Sequence, residues 1–258
     1  AGRTPNPCIE CNRHIKFGRL LDRARALGFG LLATGHHARV VVRPDGTRRI
    51  ARAADAAKDQ SYVLHMLDQD QLASLLFPIG DLTKDEVRRR AAGLGLRTAD
   101  KPDSQDVCFI TREHGREDFL RRSLTLTPGR VVDGSGAEVG SVAAVELVTV
   151  GQRRGMALAG GAAPRFAVDV DVPGATVTVG SIDDLMVDAT PLEAFSWADG
   201  PVVGRVLVQT SAHGSCDPAV LDDGVVRWAE PRPRVALGQS VVFYDGDQVL
   251  GGSIARRA

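Results

Sequence analysis

The sequence predicts an α/β segment at the N-terminus, a small domain in the middle and a β-barrel or sandwich at the C-terminus. Three observations predict this order. Apolar residues at helical spacing alternate with short apolar runs through the first third of the chain. After about Gly115, valine, threonine and glycine rise while helical periodicity fades. From there on, turn signals recur at Asp133-Gly134, Pro173-Gly174, Asp223-Gly224 and Asp245-Gly246. Boundaries near 115 and 185 give segments 1–115, 116–184 and 185–258.

In chain order, Phe17, Leu20, Leu21, Ala24 and Leu27 mark a helix over His14 to Leu27, stopped by Gly28. Leu31-Leu32-Ala33 reads as a short buried strand entering the loop Thr34-Gly35-His36-His37. Val40 to Val42 and Arg48 to Ala51 flank Pro44-Asp45-Gly46 as a hairpin. Helices are expected over Gln60 to Leu67 and Gln69 to Phe77. A third opens at Thr83 with the Ser/Thr-x-x-Glu spacing of a capping box, closed by Glu86. Val202 to Val208 and Ser240 to Tyr244 read as strands.

With 258 residues, 43% hydrophobic and 25% charged, the chain has material for two or three globular domains. Lys+Arg and Asp+Glu are both 32, so any RNA contact must come from local clusters rather than a basic excess. The clusters are Arg88 to Arg90, Arg121-Arg122, Arg153-Arg154 and Arg256-Arg257. No apolar run is long enough to span a bilayer, and no signal peptide opens the chain, so the expected compartment is the cytoplasm with no membrane partner. Four cysteines in that setting point to catalysis or metal binding rather than a disulfide scaffold. The sequence starts without Met and inside a loop, and reads as a fragment.

The opening stretch Thr4-Pro5-Asn6-Pro7-Cys8-Ile9-Glu10-Cys11 carries the most chemistry. Prolines on both sides of Asn6 stiffen the backbone and fix where its side chain points. Cys11, just ahead of the expected helix, is placed to be a nucleophilic thiolate. Cys8 and Cys11 equally supply two ligands of a structural zinc, which needs four. Cys108 and Cys216 stand alone, so both readings stay open. At the strand end, Gly35 allows close backbone approach and His36 offers a hydrogen bond to a nucleotide or phosphate. Lys58 can neutralise a phosphate beside Asp59 and Gln60, or the three can open a helix that Asp59 caps. Cys108, between a polar loop and Phe109-Ile110, is a buried inert thiol or a partner for Cys11. Thr149 to Gly155, a strand end followed by a basic turn, and Gly238 to Gly246, a C-terminal hairpin, read as structural on pattern alone.

Taken together, these segments resemble the tRNA-specific 2-thiouridylases, the MnmA (TrmU) family. The matching blocks run in order: Thr4 to Pro7 with Cys11-Asn12 and Ile15-Lys16-Phe17; Ala33 to His36; Lys58 to Tyr62 with Phe77-Pro78; Lys101 to Cys108-Phe109; Gly151-Gln152-Arg153; and Gly238-Gln239 with Phe243-Tyr244. The resemblance implies an incomplete α/β domain of the PP-loop ATPase type, a small central domain and a C-terminal β-barrel that holds tRNA. It implies a sulfur transferase that makes 2-thiouridine at the wobble position through an adenylated uridine, using ATP and Mg2+. Cys11 would be the nucleophile and Cys108 the persulfide carrier, loaded by an upstream sulfur-donor protein, with a Cys11–Cys108 disulfide formed in turnover. Gly35 would contact ATP, and Asn6, Pro7 and Cys8 the target base. His36, Lys58, Asp59, Gln60 and Gln239 would contact tRNA, joined in the barrel by Ser211-Ala212, where the family often has Arg-Tyr.

Two further departures shape the expectations. The family's Ser-Gly-Gly-x-Asp-Ser loop, which cradles the ATP pyrophosphate, does not occur in the sequence, so the 258 residues by themselves are expected to be inactive. Where the family often has Asp, this chain has Cys8, and the trio Cys8, Cys11 and Cys108 makes an iron–sulfur cluster an alternative to the persulfide. The competing class is a zinc-binding, RNA-associated module without catalysis. Other PP-loop relatives, such as amidotransferases, have no call for the paired Cys11 and Cys108.

Overall fold

The computed structural model describes residues 2–101, 115–122, 124–158 and 164–257. Its first element is one long helix. The Asn6 side chain accepts from the Cys8 N–H at 3.0 Å, and Pro7 takes the first helical position, where a missing N–H costs nothing. From there α1 (Pro7–Cys11) passes into a π-wound stretch, Asn12–Leu20, and then α2 (Leu21–Ala26). The helix therefore begins well before His14: Asn6-Pro7 is its cap and first turn, not a free loop.

β1 (Leu32–Ala33) is followed by the hairpin β2 (Ala38–Val42) and β3 (Arg48–Arg52). The helix expected over 60–67 is only a 3-10 turn, Ser61–Leu64. That expected over 69–77 is the short α3 (Gln69–Leu72), boxed by Asp68 and Gln71. It stops because Leu75 and Leu76 extend into β4 (Leu75–Leu76), which pairs in parallel with β1. α4 (Lys84–Gly93) starts at Thr83 with both arms of the capping box formed, as the sequence predicted.

After α5 (Gly115–Arg121), the middle of the chain forms one sheet. β5 (Gly129–Val132), β6 (Glu138–Val142), β7 (Phe166–Asp171) and β8 (Thr176–Gly180) are ordered β6-β5-β8-β7. Val131, Val142, Val145, Met156 and Val177 form its core.

β9 (Met186–Trp197), β10 (Gly204–Gln209), β11 (Asp217–Asp222), β12 (Val225–Pro233), β13 (Ser240–Asp245) and β14 (Gln248–Ala255) complete the chain. Their order is β13-β10-β11-β12-β9-β14, and β13 pairs with β14, so the sheet closes into a barrel rather than a sandwich. β14 also reaches β3 at Gln248–Ala51, which places the N-terminal hairpin on the barrel's sheet. Buried Arg49 locks the join through Asp199 at 2.8 Å, and Arg39 does so through Asp247 at 2.6 Å.

One apolar core runs through both parts. Ile9, Phe17, Leu21, Tyr62, Leu64 and Leu72 pack with Val242, Tyr244 and Val249 of the barrel. Each such side chain contributes about 1.5–3 kcal/mol on burial. His65 fills a notch in β14: a Cβ at Gly252 would lie 2.4 Å from its Nδ1, so only glycine fits there. Among the described residues, no helix is long and apolar enough to cross a membrane.

Candidate nucleotide and RNA site

The opening segment is held by the barrel. The Thr4 N–H donates to Leu237 O at 2.7 Å, and Arg3 pairs with Glu193 on β9. That sets Arg3 and Thr4, just ahead of Asn6, Pro7 and Cys8 in the chain, against the turn that carries Gln239, itself tied to β14 through Ala255 N to Gln239 O at 2.9 Å. Cys8 is exposed and Cys11 half-buried. Because the helix begins at Pro7, the first-turn position belongs to Cys8. Cys11 stands a turn further on, beyond the reach of the helix-terminus field that the sequence argument assigned to it.

At the carboxyl end of β1, Gly35 is exposed, with nothing within 4 Å of where a Cβ would be. His36 beside it is buried, 6% exposed, between the rings of Phe17 at 5.6 Å and Phe77 at 5.7 Å. Its Nδ1 lies 2.7 Å from Thr34 Oγ1 and its Nε2 lies 3.4 Å from Lys16 Nζ. Desolvation first, and the Lys16 charge second, push His36 down to about 4. The imidazole is therefore neutral near pH 7. A lysine ammonium can only donate, so Nε2 accepts from it and the Nδ1–H donates to Thr34. Gln60 clasps the same loop twice: its Oε1 accepts from His37 N at 2.9 Å, and its N–H donates to His37 O at 2.8 Å.

The Asp59 carboxylate, 6% exposed, is engaged on both oxygens. It accepts from Arg52 at 2.8 Å, Ser61 Oγ at 2.7 Å and Ala53 N at 2.9 Å. Arg52 in turn lies 4.3 Å over the Tyr244 ring and donates to Gln209 Oε1 at 2.8 Å and to Cys216 Sγ. Burial pushes the Cys216 thiol up, and Arg52 opposes it. Gln209 also donates to Ser211 O at 2.8 Å, while Tyr62 donates to Ser240 O at 2.9 Å. Half-buried Lys58 ends the 3-10 turn just before Asp59. Exposed Ser211 and half-buried Ala212 stand on the barrel rim nearby.

Hydrogen bonds thus link the opening helix, the Gly35–His36 loop, residues 52–62 and two rim turns of the barrel. Sequence reasoning missed Arg52, Gln209 and Tyr62 as the pegs of this assembly, because their partners lie in distant parts of the chain. It included Lys16 only within the matching block Ile15-Lys16-Phe17, with no role of its own. Cys108 lies outside the described residues, as does most of the Lys101–Cys108 block. Among the described residues, no group of three or more His, Cys, Asp and Glu could hold a metal. Of the basic pairs, Arg153 and Arg154 are exposed, whereas Arg256 and Arg257 are tied to Leu192 O and Asp169. The Gln152 side chain braces its own turn, and its carbonyl accepts from Ala167 N on β7 at 2.9 Å.

Three family models match the chain in succession: a tRNA methyl transferase HUP domain over residues 1–112, a tRNA methyl transferase PRC-barrel domain over 117–181, and an aminomethyltransferase beta-barrel domain over 207–255. The chain is 46% identical over 265 residues to the tRNA-specific 2-thiouridylase MnmA of Acidothermus cellulolyticus, covering 99% of the chain and 73% of that protein. The chain belongs to the tRNA-specific 2-thiouridylase family. The Kineococcus radiotolerans member is 49% identical over 267 residues, covering 98% of the chain and 73% of its own length. For the Chloroflexus aurantiacus member the figures are 46% over 274 residues, 99% and 74%. The domain models' descriptions speak of methyl transfer and the relatives' names of thiolation. The relatives weigh more, because each match runs through nearly the whole chain. The family's succession of HUP domain, PRC-barrel-like domain and β-barrel agrees with the α/β segment, central sheet and closed barrel seen here.

Proposed function

We propose that this chain carries the sulfur-transfer and tRNA-holding parts of a tRNA 2-thiouridylase acting at the wobble uridine, with segments 1–115, 116–184 and 185–258 as its domains. One observation carries the reading: the open strand end at Gly35, the Cys11 helix and the barrel rim at Gln239 belong to a single bonded assembly. ATP would approach at Gly35, its Mg2+ accompanying the phosphates. Asn6, Pro7 and Cys8 would face the target base, with His36, Lys58, Asp59, Gln60, Gln239, Ser211 and Ala212 along the tRNA. For Asp59 and His36 the contact would be by backbone, since the carboxylate and both ring nitrogens are engaged internally.

The uracil O2 is a poor leaving group, so it is first joined to the α-phosphate of ATP, releasing pyrophosphate. The terminal sulfur of a Cys108 persulfide, loaded by a donor protein, then attacks C2, and AMP leaves. The Cys11 thiolate attacks the Cys108 Sγ, breaking its bond to the transferred sulfur. The products are 2-thiouridine and a Cys11–Cys108 disulfide, which an external dithiol reduces. The 258 residues contain no pyrophosphate-cradling loop, so thiolation requires a polypeptide that supplies one.

The test joins these residues to such a loop and supplies ATP, tRNA and a persulfide donor. Thiolation should appear, and Cys11→Ser or Cys108→Ser should each abolish it while sparing tRNA binding. Intact activity in Cys108→Ser would remove the persulfide. A second reading is favoured by Cys8 and Cys11 lying three residues apart on one helix: an iron–sulfur cluster completed by Cys108. A visible charge-transfer band in an anaerobic preparation would support the cluster, and its absence the persulfide.

A further inference from the structure

The opening helix buries Ile9, Asn12, Phe17 and Leu21. The step of five between Asn12 and Phe17 falls in the π-wound stretch, where residues five apart line up as residues four apart do in an α-helix. Without that extra residue, position 16 would follow Asn12 into the core. The winding gives the inward place to Phe17 and leaves Lys16 half-buried at the border, beside the Gly35 loop. Gly18 permits it, since a Cβ there would lie 2.9 Å from Arg13 O.

Four arginines of the β2–β3 hairpin are spent. Arg39, Arg43, Arg49 and Arg52 are each paired with an aspartate. Lys16 is different. Among the described residues its only polar partner is the neutral His36 imidazole, itself pinned by Thr34 and two phenylalanine rings. The result, among the described residues, is a lysine aimed by a neutral acceptor and paired with no carboxylate, next to a strand end with open space above it. That combination suits a phosphate.

We propose that Lys16 is a phosphate-binding residue of the site and that His36 serves as its positioning residue. The inference rests on the reading that the Gly35 loop faces tRNA and nucleotide. The phosphate belongs either to the RNA backbone or to the nucleotide, and two titrations separate these sources.

The full 258-residue chain is titrated with an anticodon stem-loop RNA between about 50 and 200 mM salt, and separately with AMP. If the phosphate is RNA, Lys16→Gln weakens binding about fivefold and lowers the slope of log affinity against log salt by about 0.7–0.9. Lys16→Arg restores both. His36→Phe, which keeps the aromatic packing, weakens binding while leaving the slope unchanged, because the charge remains but is no longer aimed. A loss confined to AMP assigns the phosphate to the nucleotide. Unchanged RNA and AMP binding in a folded Lys16→Gln chain overturns the proposal. Failure of the unsubstituted chain to bind either ligand overturns the underlying reading instead.

Discussion

The barrel and the N-terminal α/β part bury their apolar residues by different means. The barrel closes on itself, so Val226, Val241 and Phe243 are wholly enclosed by its own strands. The N-terminal part has a two-stranded parallel sheet and borrows Val242, Tyr244 and Val249 from the barrel for its core. Elsewhere it leaves Leu27, Phe29, Leu31 and Leu94 more than half exposed, at 58%, 62%, 54% and 75%. A closed sheet pairs its own edge strands, while the open α/β segment leans on a neighbour, and the shared core couples the two. The candidate site lies along the seam where the second leans on the first.

The sharpest way to break this comparison is to empty the seam from the N-terminal side. Phe17→Ala should cost about 3–5 kcal/mol in denaturant unfolding. Both tryptophans, Trp197 and Trp228, lie in the barrel, so their fluorescence transition should shift as well. A tryptophan transition that stays in place would make the barrel independent of the helix. Gly18→Ala should cost about 1–3 kcal/mol, since the Arg13 carbonyl must move. A neutral result in the same unfolding assay would deny the π-winding.

Acid sharpens the comparison next. Burial pushes His65, with an Arg13 contribution, to about 3, and His36 to about 4, both from 6.5. Between pH 6.5 and 4 the unfolded chain binds protons that the folded chain refuses, so stability is full above 6.5 and falls as pH drops. The slope is up to about 1.4 kcal/mol per pH unit for each histidine. His65→Asn should flatten it by about one proton in pH-dependent unfolding, and an unchanged slope would refute the assignment. Smallest of all, Leu94→Lys should alter stability by no more than about 0.5 kcal/mol. A larger loss would mean that this exposed residue packs after all.

Local chemistry was legible in the sequence, and tertiary pairing was not. The Thr83–Glu86 capping box, the hairpin around Asp45-Gly46 and the turns between barrel strands were readable because each signal lies within a few residues. Leu75-Leu76 misled, because a short apolar run fits helix and strand alike until its partner, β1, is known. Gly35 was found from its place at a strand end. The burial of His36 behind Lys16, and the meeting of Arg52 with Tyr244, depend on contacts between distant segments that no local pattern encodes.

The central proposal is that Cys11 and Cys108 form a redox pair. Mild oxidation of the purified chain, followed by alkylation and peptide mapping without reductant, tests it most directly. The account predicts one dominant crosslinked peptide joining residues 11 and 108, with Cys216 alkylated. A Cys8–Cys11 crosslink in its place, with Cys108 still alkylated, would contradict it.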